Sequence, residues 1–148
     1  MKREGIAVRI KVHEGFRDTV YLDHLGNRTI GYGHLVTKDE KWEDGVQYSK
    51  EELEELFMED FREAVALMEL FCREHELDVP ESVKGILIEM MFQLGPVRVS
   101  KFKKMIAALK EKHYEKAADE MIDSRWHQQT PERCEGLAKV MRNVAKCD

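Results

Sequence analysis

The apolar residues near the start of the chain, Ile6, Val8, Ile10 and Val12, fit two patterns at once. Their alternation suits a strand, whereas Ile6 with Ile10 and Val8 with Val12 also sit at the spacing of a short helix. Gly15 favours a helix ending at Glu14, because glycine is the preferred residue just past a helix C-terminus. Two β-branched and aromatic runs follow, "TVYLD" and "RTIGYG", and Gly26-Asn27 between them predicts a hairpin. The glycines at 31 and 33 predict a thin, closely approached second strand. From Ser49 the period changes. Ser49 and Glu52 form a capping box, and Leu53, Leu56, Phe57, Phe61, Ala64, Val65 and Met68 recur at helical spacing, which predicts an amphipathic helix from about Lys50 to about Glu76. Beyond Pro80 the chain reads as helices: "PESVKGILIEMMFQLG" ending on glycine, "VSKFKKMIAALKEKH", "YEKAADEMID", and "TPERCEGLAKVMRNV" with Thr130 and Pro131 at its start. The predicted class is α+β, mainly α, in one domain over 1–148. A small N-terminal lobe with a β-hairpin takes about 12–48, a long connecting helix about 49–77, and a larger C-terminal helical lobe about 78–148 together with the N-terminal helix.

Composition changes this picture little. With 148 residues, 43% of them hydrophobic, the chain can bury a core without disulfides. Cys72, Cys134 and Cys147 are an odd number without metal-ligand spacing, so they read as reduced thiols, and no metal or other cofactor is expected. The start, Met1-Lys2-Arg3-Glu4-Gly5, lacks the apolar run of a signal peptide, and no later run is long enough to span a bilayer, so a soluble cytosolic product without stable membrane insertion is expected. A net charge of -5 argues against nucleic acid as a partner. The charge is uneven: 6 basic and 4 acidic side chains in residues 1–37, 5 and 16 in 38–82, and 13 and 9 in 83–148. The middle third reads most simply as a solvated acidic helix face.

Candidate chemistry gathers around the hairpin. Glu14, placed at a helix C-terminus, sits beside the negative pole of the macrodipole, which disfavours its ionisation. Asp23, on a hairpin open to water, is expected to stay charged. Two carboxylates whose surroundings push them apart suit general acid and base work, and glycoside hydrolysis is the reaction class that most often uses such a pair. On spacing alone, both also fit ordinary surface carboxylates.

The segments "HEGFR", "VYLD", "TIGYGHLVT", "MMFQLG" and "SRWHQQTPER" occur in an order that resembles the bacteriophage-type lysozymes, and the resemblance covers nearly the whole chain. It implies a lysozyme-like fold and a muramidase that cuts the β-1,4 bond between N-acetylmuramic acid and N-acetylglucosamine in peptidoglycan, as phage endolysins do. By this resemblance Glu14 is the general acid, Asp23 the carboxylate facing the sugar from below, and Thr29 the residue that helps place the attacking water. Arg133 corresponds to an arginine that pairs with the acid, and His34 to a structural histidine. Leu35, Phe92 and Gln93 match substrate contacts. Met105 and Glu120 stand where polar, uncharged cleft residues are common, so substrate binding is not carried to them. The water-placing threonine implies inversion at the sugar carbon. The resemblance further implies a monomer that waits in the host cytoplasm, released to the cell wall by a separate holin. A peptidoglycan-binding or protein-interaction module that keeps the fold without the chemistry is the alternative. The retention of Glu14, Asp23, Thr29 and Arg133 together favours the enzyme.

Other residues have plainer readings. His13, His24 and His34 lack the pairing of a metal site. Trp126, between two predicted helices, reads as core rather than a sugar platform. Met90, Met91 and Met105 read as gap-filling core residues, and Cys72, beside Phe71, as a buried, inert thiol. Lys101, Lys103, Lys104, Lys110 and Lys112 read as a solvated helix face.

Overall fold

A computed structural model describes residues 3–147, with side chains to Val144. The chain start at Met1-Lys2 and the Cys147 thiol lie outside the described residues. Among these there are seven helices and one three-stranded antiparallel sheet. The elements are α1 (Arg3–Glu14), β1 (Arg17–Leu22), β2 (Arg28–Gly31), β3 (His34–Leu35), α2 (Lys50–Glu74), α3 (Glu81–Ser100), α4 (Lys103–Lys110), α5 (Tyr114–Ile122), α6 (Arg125–Gln129) and α7 (Pro131–Cys147). This is the α+β, mainly helical class the periodicity predicts. The chain divides into two compact units, Ala7–Glu63 and the remainder, so the divisions fall inside α1 and α2 rather than at their ends.

The ambiguous opening is a helix. Ile6 and Ile10 are buried while Val8 and Val12 are exposed, as expected when two i, i+4 pairs lie on opposite faces; a strand would put all four on one face.

In the Ala7–Glu63 unit, β1 and β2 pair in the register Tyr21↔Thr29 and Leu22↔Arg28, with an irregularity between Arg17 and Tyr21. The run "RTIGYG" is not one strand, as the sequence suggested. Gly31 and Gly33 have φ of 64° and 75°, values that break a strand, so the chain reverses through Tyr32-Gly33 into β3, which the sequence analysis missed. Behind the sheet, Ile30, Trp42, Leu53 and Leu56 form a small core with Val20, Val36 and Tyr48 against it. The Trp42 and Tyr48 rings meet edge-on at 4.8 Å. Ser49 caps α2 by accepting from the Glu52 N–H at 3.1 Å. The expected return bond from the Glu52 side chain is replaced by an ion pair with Lys41.

In the helical unit, α3 is buried on nearly every side from Gly85 to Met91, as an all-round apolar helix must be. Its first part ends at Gly95 (φ 82°), the glycine that ends the predicted helix, and helical backbone resumes from Pro96. The predicted helix "VSKFKKMIAALKEKH" is divided: Val99 and Ser100 belong to α3, and α4 starts only at Lys103. A short helix, α6, occupies the segment read as a connection. It is capped by Ser124, whose Oγ accepts from the His127 N–H at 3.2 Å and donates to the Met121 carbonyl at 2.5 Å. α7 packs against α3, α5 and α6. Met90, Met91 and Met105 are core residues, and Trp126 is buried beside Phe102. Cys72 is only half-buried, because it borders the Phe71 face of α2 rather than sharing it; burial still raises its thiol pKa. The buried Cys134 thiol is pushed up to about 12 by burial and donates to the Met121 carbonyl.

Candidate active site

Glu14 is the last residue of α1, half-buried, and Gly15 (φ 72°) turns the chain away with its N–H on the Lys11 carbonyl at 3.0 Å. The Glu14 carboxyl lies directly on Gly33: a Cβ built there would stand 2.3 Å from Glu14 Oε1 and 2.9 Å from its Cδ. One turn back on α1, Lys11 binds Glu54 Oε2 at 2.6 Å, and Glu54 Oε1 accepts from the Tyr32 hydroxyl at 2.8 Å. Lys11 holds the Glu54 pKa below the usual carboxylate range, and burial with the Glu54 bond drives Tyr32 up to about 12. Tyr21 is also raised, by burial first and the neighbouring charge of Glu14 second.

The hairpin turn is built on Asp23. Its Oδ1 accepts from the backbone N–H of Leu25 at 2.9 Å and of Asn27 at 2.8 Å, while Oδ2 has only a 3.4 Å contact with the Asn27 amide. The Asn27 N–H is the main cause of a lowered Asp23 pKa, so the group is a carboxylate at neutral pH. Thr29, buried at the start of β2, donates its hydroxyl to the Asn27 carbonyl at 2.9 Å, which leaves the oxygen lone pairs to accept. Asp23 and Thr29 are thus both tied to Asn27.

His34 lies between two carboxylates, with Nδ1 2.7 Å from Asp60 Oδ2 and Nε2 2.8 Å from Glu40 Oε2. Burial alone would depress its pKa, but Asp60 and Glu40 outweigh it and the net shift is upward. An imidazolium donating from both nitrogens satisfies both partners. This clamp joins β3, the following loop and α2. Leu35, across from Thr29 in the sheet, is exposed.

In the helical unit, Arg133 Nε donates to Glu89 Oε2 at 2.8 Å, and both side chains are buried. Gln93 bridges α3 to α6: its Oε1 accepts from Trp126 Nε1 at 3.0 Å and its Nε2 donates to Thr130 Oγ1 at 3.1 Å. Phe92 is half-buried. Met105 and Glu120 both line a cavity of about 650 Å³, together with Phe102, Trp126, Lys101 and Arg125. Lys103 and Lys104 line it too, whereas Lys110 and Lys112 face Glu76 and Asp78.

Sequence reasoning missed Glu89, Glu40 and Asp60. Glu89 carried a signal, as the one charge in the run Gly85 to Gln93. Glu40 and Asp60 carried none, lying among 16 acids in residues 38–82. No group of three His, Cys, Asp or Glu side chains suited to a metal occurs among the described residues, and none of the helices is long and apolar enough to cross a membrane.

Glu14 seated on the β2–β3 turn, with Asp23 and Thr29 tethered on the β1–β2 turn, belongs to the α+β architecture of a lysozyme-like glycosidase. Residues 11–144 match the phage lysozyme family, and the chain belongs to it. It is 32% identical to the probable T4-type lysozyme 2 of Dictyostelium discoideum, over 88% of this chain and 89% of that protein. It is 29% identical to the pre-baseplate central spike protein Gp5 of Enterobacteria phage T4, over 93% of this chain but 27% of that one. Identity to the peptidoglycan hydrolase gp36 of Pseudomonas phage phiKMV is 28%, over 86% of this chain and 14% of the relative.

Proposed function

We propose that this glycosidase is a muramidase that hydrolyses the β-1,4 bond between N-acetylmuramic acid and N-acetylglucosamine in peptidoglycan, with inversion. The observation that carries the reading is the shared tether of Asp23 and Thr29 to Asn27, which puts an ionised carboxylate and an accepting hydroxyl on one short turn. Glu14 donates its proton to the leaving glycosidic oxygen as the bond to the anomeric carbon breaks. Asp23, kept charged by backbone N–H groups, offsets the positive charge that develops on the sugar. A water held by Thr29 Oγ1 and the less engaged Asp23 Oδ2 attacks from the opposite face and gives its proton to the carboxylate. A hydroxyl that orients water has no part in forming a glycosyl-enzyme bond, which favours inversion. Leu35, Phe92 and Gln93 are proposed glycan contacts, with Gln93 acting through its second N–H since the first is used by Thr130. Arg133 is proposed to support the acid.

Proton NMR of a fresh digest tests the stereochemistry: the first reducing sugar is expected as the α-anomer, before mutarotation. Early accumulation of the β-anomer, or a covalent adduct on Asp23, refutes inversion. Clearing of chloroform-treated Gram-negative cells tests the substrate. The protein is proposed to act as a monomer and to wait in the host cytoplasm for a separate holin, which fractionation of producing cells before lysis checks.

A further inference from the structure

Among the described residues six glycines have positive φ, and they are not equivalent. At Gly15, Gly26, Gly45 and Gly95 a Cβ would meet nothing within 4 Å, so backbone conformation alone accounts for glycine. At Gly31 the nearest atom, on Leu53, is 3.5 Å away, an ordinary contact. Only at Gly33 does the missing side chain leave room that another residue fills: the Glu14 carboxyl, 2.3 Å from where the Cβ would be.

We propose that Gly33 is a positioning residue for the Glu14 carboxyl, its bare Cα forming the seat that fixes where the acid presents its proton. The inference rests on Glu14 being the acid. Its physical basis is steric. A methyl at 33 cannot coexist with Oε1 at 2.3 Å, and of the two groups the carboxyl is the one that moves, since it is the end of a flexible side chain while Gly33 is fixed in the turn between β2 and β3. Rotation about the Glu14 side-chain bonds relieves the contact, so a substitution at 33 displaces the acid. A displacement of about 1 Å costs on the order of 100-fold in rate.

Gly45 supplies the control, with nearly the same φ (77° against 75°) and open space around it. Gly33→Ala and Gly45→Ala therefore both place a Cβ at nearly the same positive φ, and only the first carries the contact. Urea unfolding checks that both variants remain folded. On a soluble glycan oligomer, Gly33→Ala should lose about 100-fold in kcat with KM within threefold of the parent, whereas Gly45→Ala keeps kcat. The basic limb of the pH–rate profile, set by ionisation of the acid, should move in Gly33→Ala and stay in place in Gly45→Ala. Gly33→Asn provides a second Cβ on a residue that tolerates positive φ, so it folds even if alanine does not, and it should lose kcat in the same way. Retention of kcat within threefold of Gly45→Ala by a folded Gly33→Ala or Gly33→Asn overturns the proposal and leaves Gly33 a turn residue only. Failure of the underlying assignment looks different: Glu14→Gln would then keep its activity whatever stands at 33.

Discussion

The two compact units hold their charged groups by different means. Ala7–Glu63 carries 14 acidic against 8 basic side chains, while the remainder of the chain carries 15 against 16. In the first unit the candidate chemistry rests on short loops, and polar bonds fix it: Asp23 by two backbone N–H groups, Thr29 by a carbonyl, His34 by two carboxylates. In the second, apolar side chains of α3 and α7 fill the interior, and the buried ion pair of Glu89 with Arg133 lies among them. A small sheet with a core of a few residues has little packing to spare, so Asp23, Thr29 and His34 are held by directional bonds, while Glu14 lies against Gly33. A helical core holds its shape by burial, and there a charge persists only when its partner is buried with it.

The contrast predicts that substitutions of the candidate catalytic groups in the hairpin unit change activity more than stability, and those in the apolar core of the helical unit the reverse. The largest effect is expected at Glu14. Glu14→Gln keeps the shape but cannot donate, so lysis should fall by about two to four orders of magnitude while the melting temperature holds or rises. Near-parent lysis by the folded variant would reassign the acid.

Next is the core pair. Glu89→Ala removes from the buried Arg133 the carboxylate that its Nε donates to and should cost about 3–5 kcal/mol in urea unfolding. Replacing both, Glu89→Leu with Arg133→Leu, should recover much of that loss, because no charge then remains buried. A double variant as unstable as the single one would show that the pair contributes more than its own desolvation.

The His34 clamp gives a smaller, pH-dependent effect of about 1.5–3 kcal/mol, the range for hydrogen bonds to charged groups. Its folded pKa is raised, so the folded state holds a proton that the unfolded state releases near pH 6.5. The stabilisation is full below that pH and is lost as pH rises through the folded value. For Glu40 the sign is opposite. Burial pushes it up, but the Thr37 N–H and His34 outweigh this, and its stabilisation is lost as pH falls through a lowered folded value. The stability difference between the parent and His34→Gln should therefore plateau between about pH 4.5 and 6.5 and shrink on both sides. A difference that grows with rising pH would mean that His34 is neutral in the fold.

Ser49→Ala should cost about 1 kcal/mol by removing the α2 cap, with lysis unchanged under conditions where the protein stays folded. Smallest is the response to salt. With net charge -5, nonspecific attraction to an anionic wall is weak, so lysis should fall with ionic strength less steeply than for a strongly basic lysozyme.

Local signals determined most of the elements. The i, i+4 spacing and Gly15 placed the end of α1, Ser49 marked the start of α2, and Gly95 and Pro131 marked helix boundaries, because each acts through backbone geometry within a few residues. The family motifs also marked Glu14, Asp23 and Thr29 as candidates. What local pattern could not settle was whether "TIGYGHL" makes one strand or two, or that the segment around Trp126 winds into a short helix; tertiary packing decides such short pieces. The pairings were likewise decided only by the fold. His34 meets Asp60 from 26 positions away, Arg133 meets Glu89 from 44, and Gly33 receives the carboxyl of Glu14. Many carboxylates are equivalent in sequence, and nothing in their spacing says which one a distant cation will face. That choice is made when the chain closes and desolvation leaves each buried charge only the partner within reach.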